Sequence, residues 1–273
     1  MRSTRLLGAV VLGSSLWAPG SLAAQATVGA DLSLFSSYVW RGVSLTNRPV
    51  AQPSLYVSVP AGNAAVTFGG WANVDVGTYD DPNDDFSQSG GVSSFNLAEF
   101  DPWAEVSVPV GLATLTGGVV GYVFPNDPPA FATEDVNTWE VYGKVGLGVP
   151  LSPKLAVYYD FDKVNGAYFE GSVSHSLPLG STSLNLGALA WLSAGQAESG
   201  EDVNNFAENG FTHRDVSAGV PITAGIFSIT PVVHFLVNGD QATKFTSPTE
   251  ESDVKLWGGV TIGWSRALGG PTQ

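Results

Sequence analysis

The sequence predicts an all-β protein, an antiparallel up-and-down transmembrane β-barrel of about 12 strands. Segments of alternating apolar and polar residues recur along the chain, and tight turns alternate with long acidic connections. Charged residues make up only 13% of the chain and hydrophobic residues 44%, whereas an ordinary soluble domain has about 25% charged residues. A secreted β-sandwich would fit this composition as well, so the order of the residues has to decide.

The first 26 residues have the layout of a signal peptide. Arg2 and Arg5 precede an apolar run over 6–17, and Ala24-Gln25-Ala26 has the small residues of a cleavage site. The run is too short to span a membrane as a helix, although an uncleaved anchor is the alternative interpretation. We expect export through the Sec route, cleavage after Ala26 and a barrel over residues 27–273.

The charge and the lack of cysteine narrow the range of partners. With 11 basic and 25 acidic residues the net charge is −14, and so acidic a chain repels nucleic acid. The chain has no cysteine, which excludes disulfides and thiolate metal sites. We expect no cofactor, no metal centre and no nucleic-acid partner.

Strand periodicity is clearest over 139–149, 180–193 and 254–265, where apolar side chains fall on one face and small or polar side chains on the other. The apolar face is expected to meet lipid and the other face to line a lumen. Twelve segments of this kind are predicted, at 28–40, 50–59, 64–76, 98–109, 112–124, 136–149, 154–162, 166–177, 182–193, 212–220, 225–237 and 252–265.

The connections between these segments are sorted by length. Every second connection is tight and begins with proline, at 60–63, 109–111, 150–153, 178–181 and 221–225. Proline suits a strand boundary because it cannot donate to the ladder, and glycine then provides the turn. The intervening connections are mostly longer and acidic. A transmembrane barrel requires such an alternation and a sandwich does not, so both termini are expected on the periplasmic side of a bacterial outer membrane.

The stretch Ser36-Ser-Tyr-Val-Trp-Arg-Gly-Val-Ser-Leu-Thr46, followed by Pro49-Val-Ala-Gln-Pro53, resembles the N-terminal signature of the TorF-type porin family. Gly69-Gly-Trp-Ala-Asn-Val-Asp75 and Leu256-Trp-Gly-Gly-Val260 resemble the third strand and the ending of that family. The similarity lies mainly within residues 30–76. The resemblance implies an outer-membrane barrel that can form a pore, without catalytic residues. The tail after Trp264 departs from the terminal aromatic that the barrel-assembly machinery reads.

Charged side chains of both signs are expected on the inner face, where they tune selectivity. By parity this set is Asp75, Asp101, Glu105, Glu140, Lys144, Glu170 and Lys255, with Arg41 at the end of the first strand. Because acids outnumber bases, the sequence predicts a narrow pore for passive passage of small polar or cationic solutes. Ion pairs that fill the lumen are the alternative, and they would make a sealed structural or adhesive barrel.

Other motifs are weak. The acidic loop with Asp80, Asp81, Asp84 and Asp85 is interpreted as a solvated loop, or as a divalent-cation site that bridges to lipopolysaccharide. An outer-membrane hydrolase would need a paired serine and histidine. Ser174 and His175 are neighbours on a strand and point to opposite faces, and His213-Arg214-Asp215 is interpreted as a charged rim. We therefore expect no enzyme, and the expected partners are membrane lipid, lipopolysaccharide, the barrel-assembly machinery and small solutes.

Overall fold

The computed structural model describes residues 25–77, 95–125, 137–196, 206, 208–240, 245–246 and 251–268. All regular secondary structure in these ranges is β-strand. The described residues contain no helix that is long and apolar enough to cross a membrane.

The strands follow one another closely along the chain. They are β1 Thr27–Phe35, β2 Tyr38–Trp40, β3 Val43–Thr46, β4 Val50–Ala61, β5 Ala64–Asp75, β6 Asn96–Val110, β7 Ala113–Tyr122, β8 Thr138–Leu147, β9 Lys154–Asp160, β10 Ala167–Leu179, β11 Thr182–Ala194, β12 Gly210–Gly219, β13 Ile222–Ala224, β14 Phe227–Asn238, β15 Phe245–Thr246, β16 Glu251–Ser252 and β17 Val254–Ala267.

Twelve of these strands form a closed antiparallel barrel, in which each strand pairs with its neighbours in the chain. The barrel closes between β1 and β17, whose register runs from Thr27↔Ala267 to Phe35↔Gly259. The short β13 adds to the end of β14, while β12 pairs with β14 directly. A closed barrel leaves no strand edge unpaired, and the predicted fold class and strand number are confirmed.

The two faces of the barrel differ as the alternation predicts. On β8, Trp139 and Val141 point outward and are 39% and 46% exposed, whereas Glu140 and Tyr142 point inward and are 3% and 5% exposed. Large apolar side chains recur on the outer face of the other strands as well. An apolar outside and a polar inside are typical of a barrel that has lipid around it.

One end of the barrel, here called the turn end, carries the short connections. Gly62, Gly111, Gly180 and Gly225 have positive φ in four of these turns, which glycine adopts without steric cost. The prediction that each turn begins with proline is wrong in detail, because Pro60, Pro109 and Pro178 lie within β4, β6 and β10. The opposite end, here called the loop end, carries the remaining connections. One of these, between β9 and β10, is also short.

The first predicted strand, 28–40, is also wrong in its extent. β1 ends at Phe35, which pairs directly with Val50 of β4. Residues 36–49 leave the barrel wall, and within them β2 and β3 pair only with each other. This segment is called the inner hairpin. The run Tyr38-Val39-Trp40 has the residue types of a strand and follows Phe35 after only two serines, so the residue pattern did not show where the wall ends.

Candidate functional site in the barrel lumen

The inner hairpin lies inside the loop-end half of the barrel. Ser37, Tyr38, Val39 and Arg41 are buried there, together with Thr46. A β-bulge lies between Tyr38 and Val39, and both side chains are buried in a cluster with Phe35 and Trp257 of the barrel wall. The hairpin therefore fills part of the lumen.

Arg41 forms the turn of the inner hairpin and does not close the first strand as expected. Its φ of 46° lies in the left-handed region, which is uncommon for a residue with a side chain. Its guanidinium donates to both carboxylate oxygens of Glu140, at 2.6 Å each. The two side chains are 5% and 4% exposed. This two-point geometry is the strong form of an arginine–carboxylate pair.

Aromatic rings surround the same guanidinium. Its central carbon lies 4.5 Å from the ring centre of Trp40, 4.9 Å from that of Tyr158 and 4.3 Å from that of Tyr168. The Tyr122 hydroxyl accepts from Arg41 at 3.2 Å and donates to Glu140 at 3.0 Å. Ring faces attract cations at these distances. Arg41 is therefore held by one carboxylate and several aromatic rings.

The charge of Arg41 is secured by its surroundings. Burial alone would lower the pKa of Arg41, but the adjacent Glu140 carboxylate outweighs burial and raises that pKa above its ordinary value. A guanidinium is already protonated throughout the physiological range. The interior consequently always contains this cation.

The other charges predicted in the lumen are spread along the wall. Glu105 accepts from Lys144 and from the Tyr142 hydroxyl, at 3.4 and 3.0 Å. Glu170 lies 3.7 Å from Lys154, and Lys255 donates to Ser44 and Asn47 of the inner hairpin. The remaining two predicted acids, Asp75 and Asp101, are buried.

These charges make several separate ion pairs, and only Arg41 and Glu140 of the predicted set meet in the aromatic cluster. The electric field that acts on a solute in the lumen must then come mainly from inward acids that form no ion pair with a basic side chain.

Sequence reasoning missed several inward charges. Glu99 has the same parity as Asp101 and is buried beside it. Asp31 lies on the inner side of β1, and the Asp215 carboxylate contacts Nδ1 of His234 at 2.9 Å. Strict alternation along β1, β6 and β12 would have found Asp31, Glu99 and Asp215.

The interpretation of His213-Arg214-Asp215 as a rim is wrong for two of the three residues. His213 and Asp215 are buried inside the barrel, and only Arg214 is exposed. After an irregularity at Thr212 the strand alternates again, so Arg214 faces outward between two inward residues.

The turn-end half of the lumen has a different lining. Many of its inward side chains are small and polar and only half buried, namely Ser33, Ser107, Thr116, Ser172, Ser174, Ser176 and Thr261, although Ser58, Thr67 and Ser183 on the same face are buried. Several of them bond across strands, such as Ser33 with Thr261 and Ser107 with Thr116, each at 2.8 Å. The half-buried residues keep accessible surface, so part of this half of the lumen is accessible to solvent.

Two further interpretations concern chemistry. The acids Asp80, Asp81, Asp84 and Asp85 lie outside the described residues, and the described part of the chain holds no group of three or more side chains suited to a metal ion. Asp215 and His234 resemble two members of a hydrolytic triad. However, Nε2 of His234 has no hydrogen-bond partner among the described residues, so no serine is paired with it.

Comparison with known proteins places the chain in a family. Residues 21–230 match the family described as bacterial protein of unknown function (Gcw_chp), and the chain belongs to that family. This description does not name the TorF-type porins, so that resemblance stays a prediction. No curated protein sequence matches the chain.

Solved structures show the same fold. An outer membrane channel from Pseudomonas putida F1 matches with a TM-score of 0.51 and 10% identity, over 92% of this chain and 100% of the channel. An anion-selective porin from Comamonas acidovorans matches with a TM-score of 0.35 and 8% identity, over 89% of this chain and 98% of the porin. At such low sequence identities a structural match shows only a shared fold. The match to the Pseudomonas putida channel, with its TM-score of 0.51, supports the barrel fold.

Proposed function

We propose that this protein is a bacterial outer-membrane pore for the passive passage of small polar or cationic solutes, narrowed by its inner hairpin. The observation that carries the proposal is a closed barrel with one half of its lumen lined largely by serine and threonine and partly accessible to solvent. A barrel with a purely structural role has no need of such a lining. The similarity in fold to the Pseudomonas putida channel also supports the proposal.

The proposal includes a location and an orientation. The chain is exported, loses residues 1–26 and is inserted by the barrel-assembly machinery. Its turn end and both termini face the periplasm, and the loop end faces lipopolysaccharide outside. The sorting of short and long connections supports this orientation, because outer-membrane barrels have short periplasmic turns.

A sealed barrel is the second candidate, and one observation favours it. The Arg41–Glu140 pair and its rings are almost fully buried across the loop-end half of the lumen. The two candidates differ in whether the inner hairpin leaves or can open a path for solutes.

Electrical recording of the refolded protein in a planar bilayer distinguishes them. We expect discrete current steps from the wild-type chain, small because the hairpin narrows the lumen. A protein that inserts, as shown by protease resistance of its strands, but gives no steps at any voltage would support the sealed barrel instead.

A further inference from the structure

The side chains that hold the Arg41 guanidinium come mainly from the barrel wall. Tyr122, Glu140, Tyr158 and Tyr168 belong to β7, β8, β9 and β10, which are four neighbouring strands. These four residues are called the wall cage. Only Trp40 comes from the inner hairpin itself. The wall therefore supplies the carboxylate and three phenol rings of the cage, while the hairpin contributes the Trp40 ring, which packs on Tyr122, and the Arg41 carbonyl, which accepts from the Tyr168 hydroxyl.

We infer that the wall cage is a binding site for the guanidinium group of a solute, and that Arg41 is its resident occupant. The carboxylate of Glu140 presents two oxygens to one planar cation, with both bonds at 2.6 Å. A guanidinium has donors in a planar fork that matches this spacing, whereas an ammonium is a compact point charge. The rings of Tyr158 and Tyr168 add attraction for a flat cation.

Arg41 can leave the cage without disruption of the barrel. β2 and β3 pair only with each other, so no sheet hydrogen bonds join them to the wall. Other contacts hold the hairpin to the wall when the guanidinium leaves, namely Lys255 with Ser44 and Asn47, the Tyr168 hydroxyl with the Arg41 carbonyl, and Glu99 with Tyr38. The Arg41 side chain can therefore move while the hairpin stays in the lumen.

This inference rests on the proposed function and names its solute class. A solute that carries a guanidinium would exchange with Arg41 in the cage and so pass the narrowest part of the lumen. A solute with an ammonium group of equal charge would compete poorly, because it cannot make the two-point contact with Glu140.

Binding is tested on Arg41→Ala, refolded in detergent, with methylguanidinium chloride as the probe and tryptophan fluorescence as the signal. Trp40 lies beside the site and Trp191 packs on Tyr168. At constant ionic strength we expect a saturable change, with a half-saturating concentration about tenfold lower than for methylammonium chloride. In wild type the change should need a much higher concentration of methylguanidinium, because Arg41 competes for the cage. It should be lost in Arg41→Ala with Glu140→Gln. Equal responses to the two cations would overturn the inference.

If Arg41→Ala does not refold, Arg41→Gly replaces it, because glycine suits the left-handed backbone at this position. A saturable response that persists after Glu140→Gln would also overturn the inference, since the probe would then bind elsewhere.

Passage is tested on wild type in proteoliposomes, with arginine and lysine as solutes of the same net charge. We expect arginine to enter several-fold faster than lysine, and Glu140→Gln to remove the difference. Equal rates would overturn the guanidinium site and leave the pore intact. If neither solute enters, the proposed pore function is wrong. The fluorescence titration then tests by itself whether the wall cage binds a guanidinium.

Discussion

Arg41 and Glu140 stand 99 positions apart in the sequence and meet through two hydrogen bonds inside the barrel. The pair fastens the inner hairpin to the opposite wall.

The first prediction concerns the stability that this pair confers. Glu140→Gln should lower the free energy of unfolding by about 3–5 kcal/mol, because removal of one partner leaves a buried charge without compensation. The matched control is Glu170→Gln, whose partner Lys154 is 3.7 Å away with a side chain 28% exposed. That change should cost less than about 1 kcal/mol. Urea unfolding in detergent measures both, and equal losses would mean that the Arg41 pair is not the stronger one.

The second prediction concerns the outer face. Leu186 and Val260 point outward from the middle of their strands, whereas Val145 points outward near the turn end of β8. Arginine at Leu186 or Val260 should destabilise the barrel in lipid by about 2–4 kcal/mol, the scale for a cation at the bilayer midplane, and arginine at Val145 should cost less. Gly146→Arg is the control, since a side chain there enters open space on the inner side. A comparable loss at Gly146 would contradict the assignment of the two faces.

The third prediction concerns orientation in the cell. Protease added to intact cells should cut within 77–97 or 194–211, in connections at the loop end. The turn at 60–63 should be spared until the outer membrane is opened. Mass spectrometry of the fragments identifies the sites. Cleavage at 60–63 in intact cells would reverse the proposed orientation.

The fourth prediction concerns selectivity. Glu105, Glu140 and Glu170 each lie beside a basic side chain, whereas Asp31 is half-buried on the inner side of β1, on the same face as Ser33, and no described basic residue forms a salt bridge with it. A cation preference should therefore fall after Asp31→Asn. It should change little after Glu105→Gln with Lys144→Gln, which removes one charge of each sign.

The reversal potential across a salt gradient reports this preference. High ionic strength should weaken it, because salt screens charges over about 10 Å at 0.1 M. An anion preference in the wild type would refute the prediction.

The wall of the barrel could be predicted from the sequence because it obeys a simple rule. Lipid outside and polar groups inside force a period of two, and each of the predicted segments overlaps one strand of the barrel, with the first of them too long at its end. Glycine in the short turns gave a second, independent signal, as Gly62 and Gly111 confirm by their positive φ.

The centre of the lumen could not be predicted in the same way. The run Tyr38-Val39-Trp40 after Phe35 has the residue types of a wall strand, although it forms β2 inside the barrel and pairs only with β3. The contact of Arg41 with Glu140 joins distant parts of the chain, and parity gives only a direction for each side chain. Parity could place Glu140 in the lumen, but nothing local in the sequence indicates which residue it meets.

The most direct test of a pore narrowed by the inner hairpin is the unitary conductance of a chain without that hairpin. Phe35 and Val50 are already paired, so residues 36–49 can be replaced by an Asn-Gly turn, which suits a two-residue connection between antiparallel strands. In a planar bilayer the shortened chain should give discrete steps several-fold larger than those of wild type. Steps of equal size in both proteins, or none in either although both insert, would contradict the account.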